Sequence, residues 1–203
     1  MQRDVSRRSF LRSSALTAAG ATVIEAASAI IAQAQAAQSD GPPASGPGLV
    51  LVTLKVNGVE RRLQAEPRMT LAQALRGPLG LTGTKIACDR GACSACTVWV
   101  DGLPVCSCMM LAIEIGARSV TTIEGLARGE ALHPVQTAFI EHDALQCGFC
   151  TPGMVMSCAA LLERVSDPTA EDVRAAISGH LCRCGTYPHV VAATLAAAEA
   201  RKG

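Results

Sequence analysis

The arrangement of cysteines constrains this chain more than any other feature. Eight of its ten cysteines fall into two sets of four, Cys88-x4-Cys93-x2-Cys96-x11-Cys108 and Cys147-x2-Cys150-x31-Cys182-x-Cys184. Any fold must gather each set from stretches that are apart in sequence. So many thiols in 203 residues imply a disulfide framework, zinc, or iron bound with inorganic sulfide.

The first set matches the plant-type [2Fe–2S] spacing, in which C-x4-C-x2-C is followed by a more distant fourth cysteine. Three thiolates on one short loop can wrap one side of a cluster, and glycines such as Gly83 and Gly91 let the backbone bend close. Backbone N–H groups then point at sulfur and stabilise its negative charge. The fourth thiolate, Cys108, arrives from a neighbouring hairpin. The second set is weaker in part, because zinc sites and thioredoxin-like motifs share the Cys-x2-Cys spacing of Cys147 and Cys150. Its partner, Cys182-Arg183-Cys184, is the unusual element. Two pairs that each sit at a helix start can face one another, and helix N-termini favour thiolates.

The remaining sequence reads as scaffold of the α+β class. Residues 49–56 form a β-rich run, Asn57-Gly58 is a preferred tight-hairpin pair, and residues 59–65 return. Thr70 stands as the N-cap of a helix over 71–75, which Gly77-Pro78 ends. Strand, hairpin, strand, helix opens a ubiquitin-like β-grasp. A Gly-rich loop over 82–96 carries three thiols. Residues 96–100, the Asp101-Gly102 turn and residues 103–105 predict a second hairpin, with the last strand within 113–123. Beyond it the pattern is helical. One helix spans 134–142, and Thr151 caps a second that runs to 164 with Pro152 at its first position. Thr169 caps a third with Asp172 as its capping-box acid, and a fourth spans 188–200. These predict a small four-helix bundle. The domains are therefore a β-grasp over 49–126 and a helical domain over 127–203. Aromatic residues make up only 2% of the chain, so Ala, Val, Leu and Ile must build both cores.

Ahead of them, Ser6-Arg7-Arg8-Ser9-Phe10-Leu11-Arg12 resembles a twin-arginine export signal. An Ala- and Thr-rich apolar stretch over 15–31 follows, interrupted by Glu25 and too short and weakly apolar for a membrane span. Small-residue cleavage sites precede Ala36, so residues 1–36 read as a signal peptide and 37–48 as a Gly/Pro linker. Cleavage after Ala36 removes four arginines and two acids and takes the net charge from +1 to −1. Neither value suits a nucleic acid or another charged polymer as partner.

The stretches 85–97, 146–153 and 179–185 together resemble the small iron–sulfur subunit of the molybdenum hydroxylases, a family that includes xanthine dehydrogenase and aldehyde oxidoreductase. They read Lys-Ile-Ala-Cys-Asp-Arg-Gly-Ala-Cys-Ser-Ala-Cys-Thr, Gln-Cys-Gly-Phe-Cys-Thr-Pro-Gly and Gly-His-Leu-Cys-Arg-Cys-Gly. The resemblance runs from about Leu49 to the C-terminus and, with the export signal, points to a periplasmic aldehyde oxidoreductase. It implies two [2Fe–2S] clusters, on Cys88, Cys93, Cys96 and Cys108 and on Cys147, Cys150, Cys182 and Cys184. It implies a large partner holding a molybdenum–molybdopterin cofactor and a medium partner holding FAD, with electrons passing from molybdenum through the helical and then the β-grasp cluster to FAD. Gln146 and Cys184 would face the molybdopterin, and the chemistry of aldehydes or N-heteroaromatics would belong to the large partner, so no catalytic residue is expected here. Insertion of clusters before export reconciles them with an oxidising destination. Two departures stand out. Ser94 occupies a position where the family usually has glycine, and a positive φ there would strain serine. Cys184-Gly185-Thr186-Tyr187 replaces the more frequent Cys-Thr-Gly-Tyr.

Cys106 and Cys158 belong to neither set and read as a spare thiol and a core residue. The four histidines, His133, His142, His180 and His189, read as turn or surface residues, because the thiols already saturate both sites. Met109, Met110, Met154 and Met156 read as core or subunit contacts, and Trp99 as packing. The competing functions are a free-standing two-cluster ferredoxin and an exported binding module stapled by disulfides or zinc.

Overall fold

The structure is a computed structural model that describes residues 46–202. The expected export signal and most of the expected linker lie outside the described residues.

Strand β1 (Val50–Val56) turns through Asn57-Gly58 into β2 (Val59–Ala65), both turn residues at positive φ as a tight hairpin needs. Helix α1 (Leu71–Arg76) follows, started by a complete capping box between Thr70 and Gln73. After a long loop, β3 (Thr97–Val100) and β4 (Leu103–Cys106) form the second hairpin across Asp101-Gly102, again with positive φ at both positions. The last strand, β5 (Ser119–Thr121), has only three residues. Both turns secure it. Asn57 Oδ1 accepts from the Thr122 N–H at 2.9 Å, and Asp101 Oδ1 accepts from the Ser119 N–H at 2.8 Å. The sheet order is β2-β1-β5-β3-β4, with β5 parallel to β1 and every other pairing antiparallel. This is the expected β-grasp. Leu54, Val56, Leu71, Leu75, Val98 and Val120 are fully buried between sheet and helix.

The second half is the expected set of helices: α2 (Pro134–Glu141), α3 (Thr151–Arg164), α4 (Ala170–Ile177) and α5 (Tyr187–Ala200). Thr169 and Asp172 form the predicted capping box. Thr151 is not a cap. Cys150 holds the N-cap position of α3 without a side-chain cap bond, and Thr151 is the first helical residue, directly before Pro152. Phe139, Met154, Met156, Val173 and Val190 make the core, and Ala193 and Ala197 bury a small-residue face of α5. The two halves share a seam. Trp99 packs from β3 onto the helical core, and its Nε1–H donates to the Met156 carbonyl at 2.8 Å. No helix among the described residues is long and apolar enough to cross a membrane.

Candidate metal centres

The β-grasp thiols lie on the loop between α1 and β3. Arg76 anchors its start, donating through Nη1 to the Thr82 and Thr84 carbonyls at 2.7 and 2.8 Å. Asp89, Gly91 and Ser94 all have positive φ, so the chain coils back on itself. That coil aims N–H groups at sulfur. Cys88 Sγ accepts from the backbone of Arg90 at 3.5 Å and of Ala92 at 3.3 Å, and Cys108 Sγ accepts from Gly91 at 3.3 Å. The Arg90 N–H, helped by the Cys93 thiol, pulls the Cys88 thiol down to about 7. Cys108 is placed by Ser107, whose hydroxyl donates to the Cys96 carbonyl at 2.6 Å. Cys93, Cys96 and Cys108 are buried, and burial pushes the Cys96 thiol up to about 12.

The helical thiols come from two segments. Cys147 is exposed and Cys150 is buried at the start of α3, while Cys182 and Cys184 lie half-buried just before α5. Gly148 and Gly185, each the residue after an outer cysteine, have φ of 79° and 76°. The Tyr187 hydroxyl staples the second segment, donating to the His180 carbonyl at 2.9 Å and accepting from the Cys182 N–H at 2.8 Å. Burial alone would raise the Cys182 thiol, but the Thr186 hydroxyl and N–H and the Cys150 thiol outweigh it and bring it to about 6. Its neighbour Cys150 is pushed up by burial to about 12.

The thiols therefore meet two by two. Cys88 neighbours Cys93, Cys96 neighbours Cys108, Cys150 neighbours Cys182, and Cys147 neighbours Cys184. Among the described residues no three His, Cys, Asp or Glu side chains surround one ion-sized point. Pairs are what a [2Fe–2S] cluster needs, since each iron takes two protein thiolates and completes its coordination with sulfide. With N–H donors already aimed at sulfur, both sets fit such a cluster.

Comparison with known proteins agrees. A 2Fe-2S iron-sulfur cluster binding domain matches residues 54–116, and a [2Fe-2S] binding domain matches residues 122–195. The aldehyde oxidoreductase iron-sulfur-binding subunit PaoA of Escherichia coli K12 is 41% identical over 94% of this chain and 86% of its own length. The chain belongs to the small iron–sulfur subunits of the molybdenum hydroxylases. The nicotine 6-hydroxylase small subunit of Paenarthrobacter nicotinovorans is 48% identical over 72% of this chain and 88% of its own. Quinoline 2-oxidoreductase from Pseudomonas putida 86 superposes with a TM-score of 0.73 at 45% identity, covering 76% of this chain and 98% of that one. As a member of this family the chain carries two [2Fe–2S] clusters and serves as the electron-transfer component of a molybdenum-dependent oxidoreductase.

The other singled-out residues fall as follows. Gln146 is exposed beside Cys147. Cys106 stands outside the thiol pairs, its Sγ 3.7 Å from the Ser94 hydroxyl. Cys158 is fully buried, as expected of a core residue. Ser94 has a positive φ, 53°, the conformation that strains serine. His180 is not a surface or turn residue: it is 4% exposed, its Nε2 lies 2.7 Å from the Ser157 hydroxyl, and burial lowers its pKa to about 4. His133 is half-buried and caps α2, accepting from the Val135 N–H at 3.2 Å. Sequence reasoning missed Tyr187. Its signal was present, since it is the chain's single tyrosine and stands three residues after Cys184.

Proposed function

We propose that Cys88, Cys93, Cys96 and Cys108 hold one cluster and Cys147, Cys150, Cys182 and Cys184 the other, within domains spanning 49–126 and 127–203. The observation that carries this reading is that the fold gathers these eight thiols as four neighbouring pairs, with backbone N–H groups aimed at Cys88 and Cys108 sulfur. When bound, the clusters pass single electrons between the molybdenum site of a large partner and the FAD of a medium one. This chain's residues hold and shield those thiolates. The Cys88–Ala92 backbone donates hydrogen bonds to sulfur, Thr186 and Tyr187 fix Cys182, and the exposed Gln146 and half-buried Cys184 face the molybdopterin across the subunit boundary.

The assembly is a heterotrimer exported by the twin-arginine route to the periplasm, and it oxidises an aldehyde. Agreement with the aldehyde oxidoreductase subunit over 94% of the chain supports the aldehyde reading, and the Ser6–Arg12 stretch with the apolar run after it supports export. A second reading, an N-heteroaromatic substrate, rests on the higher identity to the nicotine 6-hydroxylase subunit over a shorter span. Purification of the native complex tests both. Molybdopterin- and FAD-containing chains should accompany this one, with about four irons and four sulfides per copy of it. Turnover of an aromatic aldehyde but not of nicotinate supports the first substrate class, and the reverse supports the second. Recovery of the chain alone, with zinc or intact disulfides, contradicts the proposal.

A further inference from the structure

Beside Trp99, the seam between the two halves includes three consecutive residues of the β-grasp loop. The Cys93 carbonyl accepts from the Leu181 N–H at 3.2 Å. The Ser94 and Ala95 carbonyls lie against Gly153, in the first turn of α3. A Cβ on Gly153 would stand 2.5 Å from the Ser94 oxygen and 3.2 Å from the Ala95 oxygen. The Ser94 hydroxyl faces Gly179, where a Cβ would meet its Oγ at 3.2 Å. Both segments that carry helical thiols therefore close on the backbone that joins Cys93 to Cys96.

Gly153 cannot be replaced without movement. Ordinary contact begins at 3.4 Å, so α3 and the loop would have to separate by close to an ångström. The loop cannot give locally, because the Ser94 carbonyl also accepts from the Thr97 N–H at 3.1 Å and the Thr97 hydroxyl at 2.7 Å. Glycine is also the poorest non-proline residue inside a helix, so helix propensity does not explain its presence there. Gly179 differs, because its obstacle is a side-chain hydroxyl.

We propose that Gly153 and Gly179 are positioning residues that set the spacing of the two clusters by letting both helical thiol segments seat on Cys93–Ala95. The proposal rests on the ligand assignment above. The test is Gly153→Ala and Gly179→Ala in the complete complex, with both clusters reduced. Electron paramagnetic resonance reads the magnetic splitting between the two spins, and rapid kinetics read electron passage to FAD. Iron content and the presence of two signals report the ligand sets; splitting and rate report the spacing, so the two claims fail separately. Gly153→Ala should keep both signals, reduce the splitting and slow electron passage severalfold, and Ser94→Gly should not restore either, because the obstacle is backbone. Gly179→Ala should give a smaller change in the same direction, removed by Ser94→Gly. An unchanged splitting in a fully loaded Gly153→Ala complex overturns the proposal. If that variant does not assemble, the Gly179→Ala pair decides: no change, or a change that Ser94→Gly leaves in place, overturns it.

Discussion

In the proposed assignment the β-grasp site takes three of its thiols from one loop, whereas 31 residues separate Cys150 from Cys182 in the helical site. The loop supplies its own hydrogen bonds to sulfur, from Arg90, Gly91 and Ala92. The helical site draws on the Thr186 hydroxyl and N–H and on the Tyr187 hydroxyl, and its two thiol segments meet only while α3 and α5 are packed together. One site is largely a property of local backbone conformation, and the other is a property of tertiary packing. Damage to the helical core should therefore reach one cluster and spare the other.

The largest effect expected on this contrast is from Phe139→Ala. Phe139 is 1% exposed in a core with few other large side chains. Its loss should cost about 3–5 kcal/mol. Denaturant titration followed by visible circular dichroism should show the helical cluster released early and the β-grasp cluster at its original midpoint. Simultaneous release would break the contrast.

Tyr187→Phe comes next. It leaves the Cys182 N–H and the His180 carbonyl without their shared partner, which costs about 1–3 kcal/mol for groups withdrawn from water. The same titration should again move only the helical cluster. Gly91→Ala probes the other site. A side chain at φ +71° costs about 1–2 kcal/mol, and the new Cβ would also press on Met109 at 2.9 Å. The β-grasp signal alone should shift, because the Gly91 N–H to Cys108 is disturbed.

The smallest effect separates scaffold from site. Helix α4 carries no thiol, and Thr169→Ala removes its cap for about 1 kcal/mol. Helical stability should fall while both cluster spectra stay as they were. The Thr169 hydroxyl and N–H hold the Asp172 carboxyl below its usual range. A depressed carboxylate stabilises the fold above its unfolded pKa and loses that contribution as pH falls through the folded value. Acid unfolding midpoints should therefore differ less between pH values in Thr169→Ala than in the parent.

Much of this was legible in the sequence where the cause was local. Asn57-Gly58 and Asp101-Gly102 need positive φ, Thr169 and Asp172 form a box three residues apart, and Cys88, Cys93 and Cys96 share one loop. Reading failed where the cause was distant. Thr151 is a good cap by propensity, yet Cys150, a neighbour of Cys182, holds the N-cap and the helix starts one residue earlier. His180 is buried because Ser157 lies against it, 23 residues away, and Trp99 reaches Met156 across 57 residues. The same division of local from tertiary causes separates the two cluster sites.

The central claim is that two independent sets of four thiols hold two clusters, and Cys150→Ser tests it most directly. In the reduced complex, electron paramagnetic resonance should lose the helical signal and keep the β-grasp signal, with iron falling from about four to about two per chain. Survival of both signals unchanged, or loss of the β-grasp signal instead, would contradict the account.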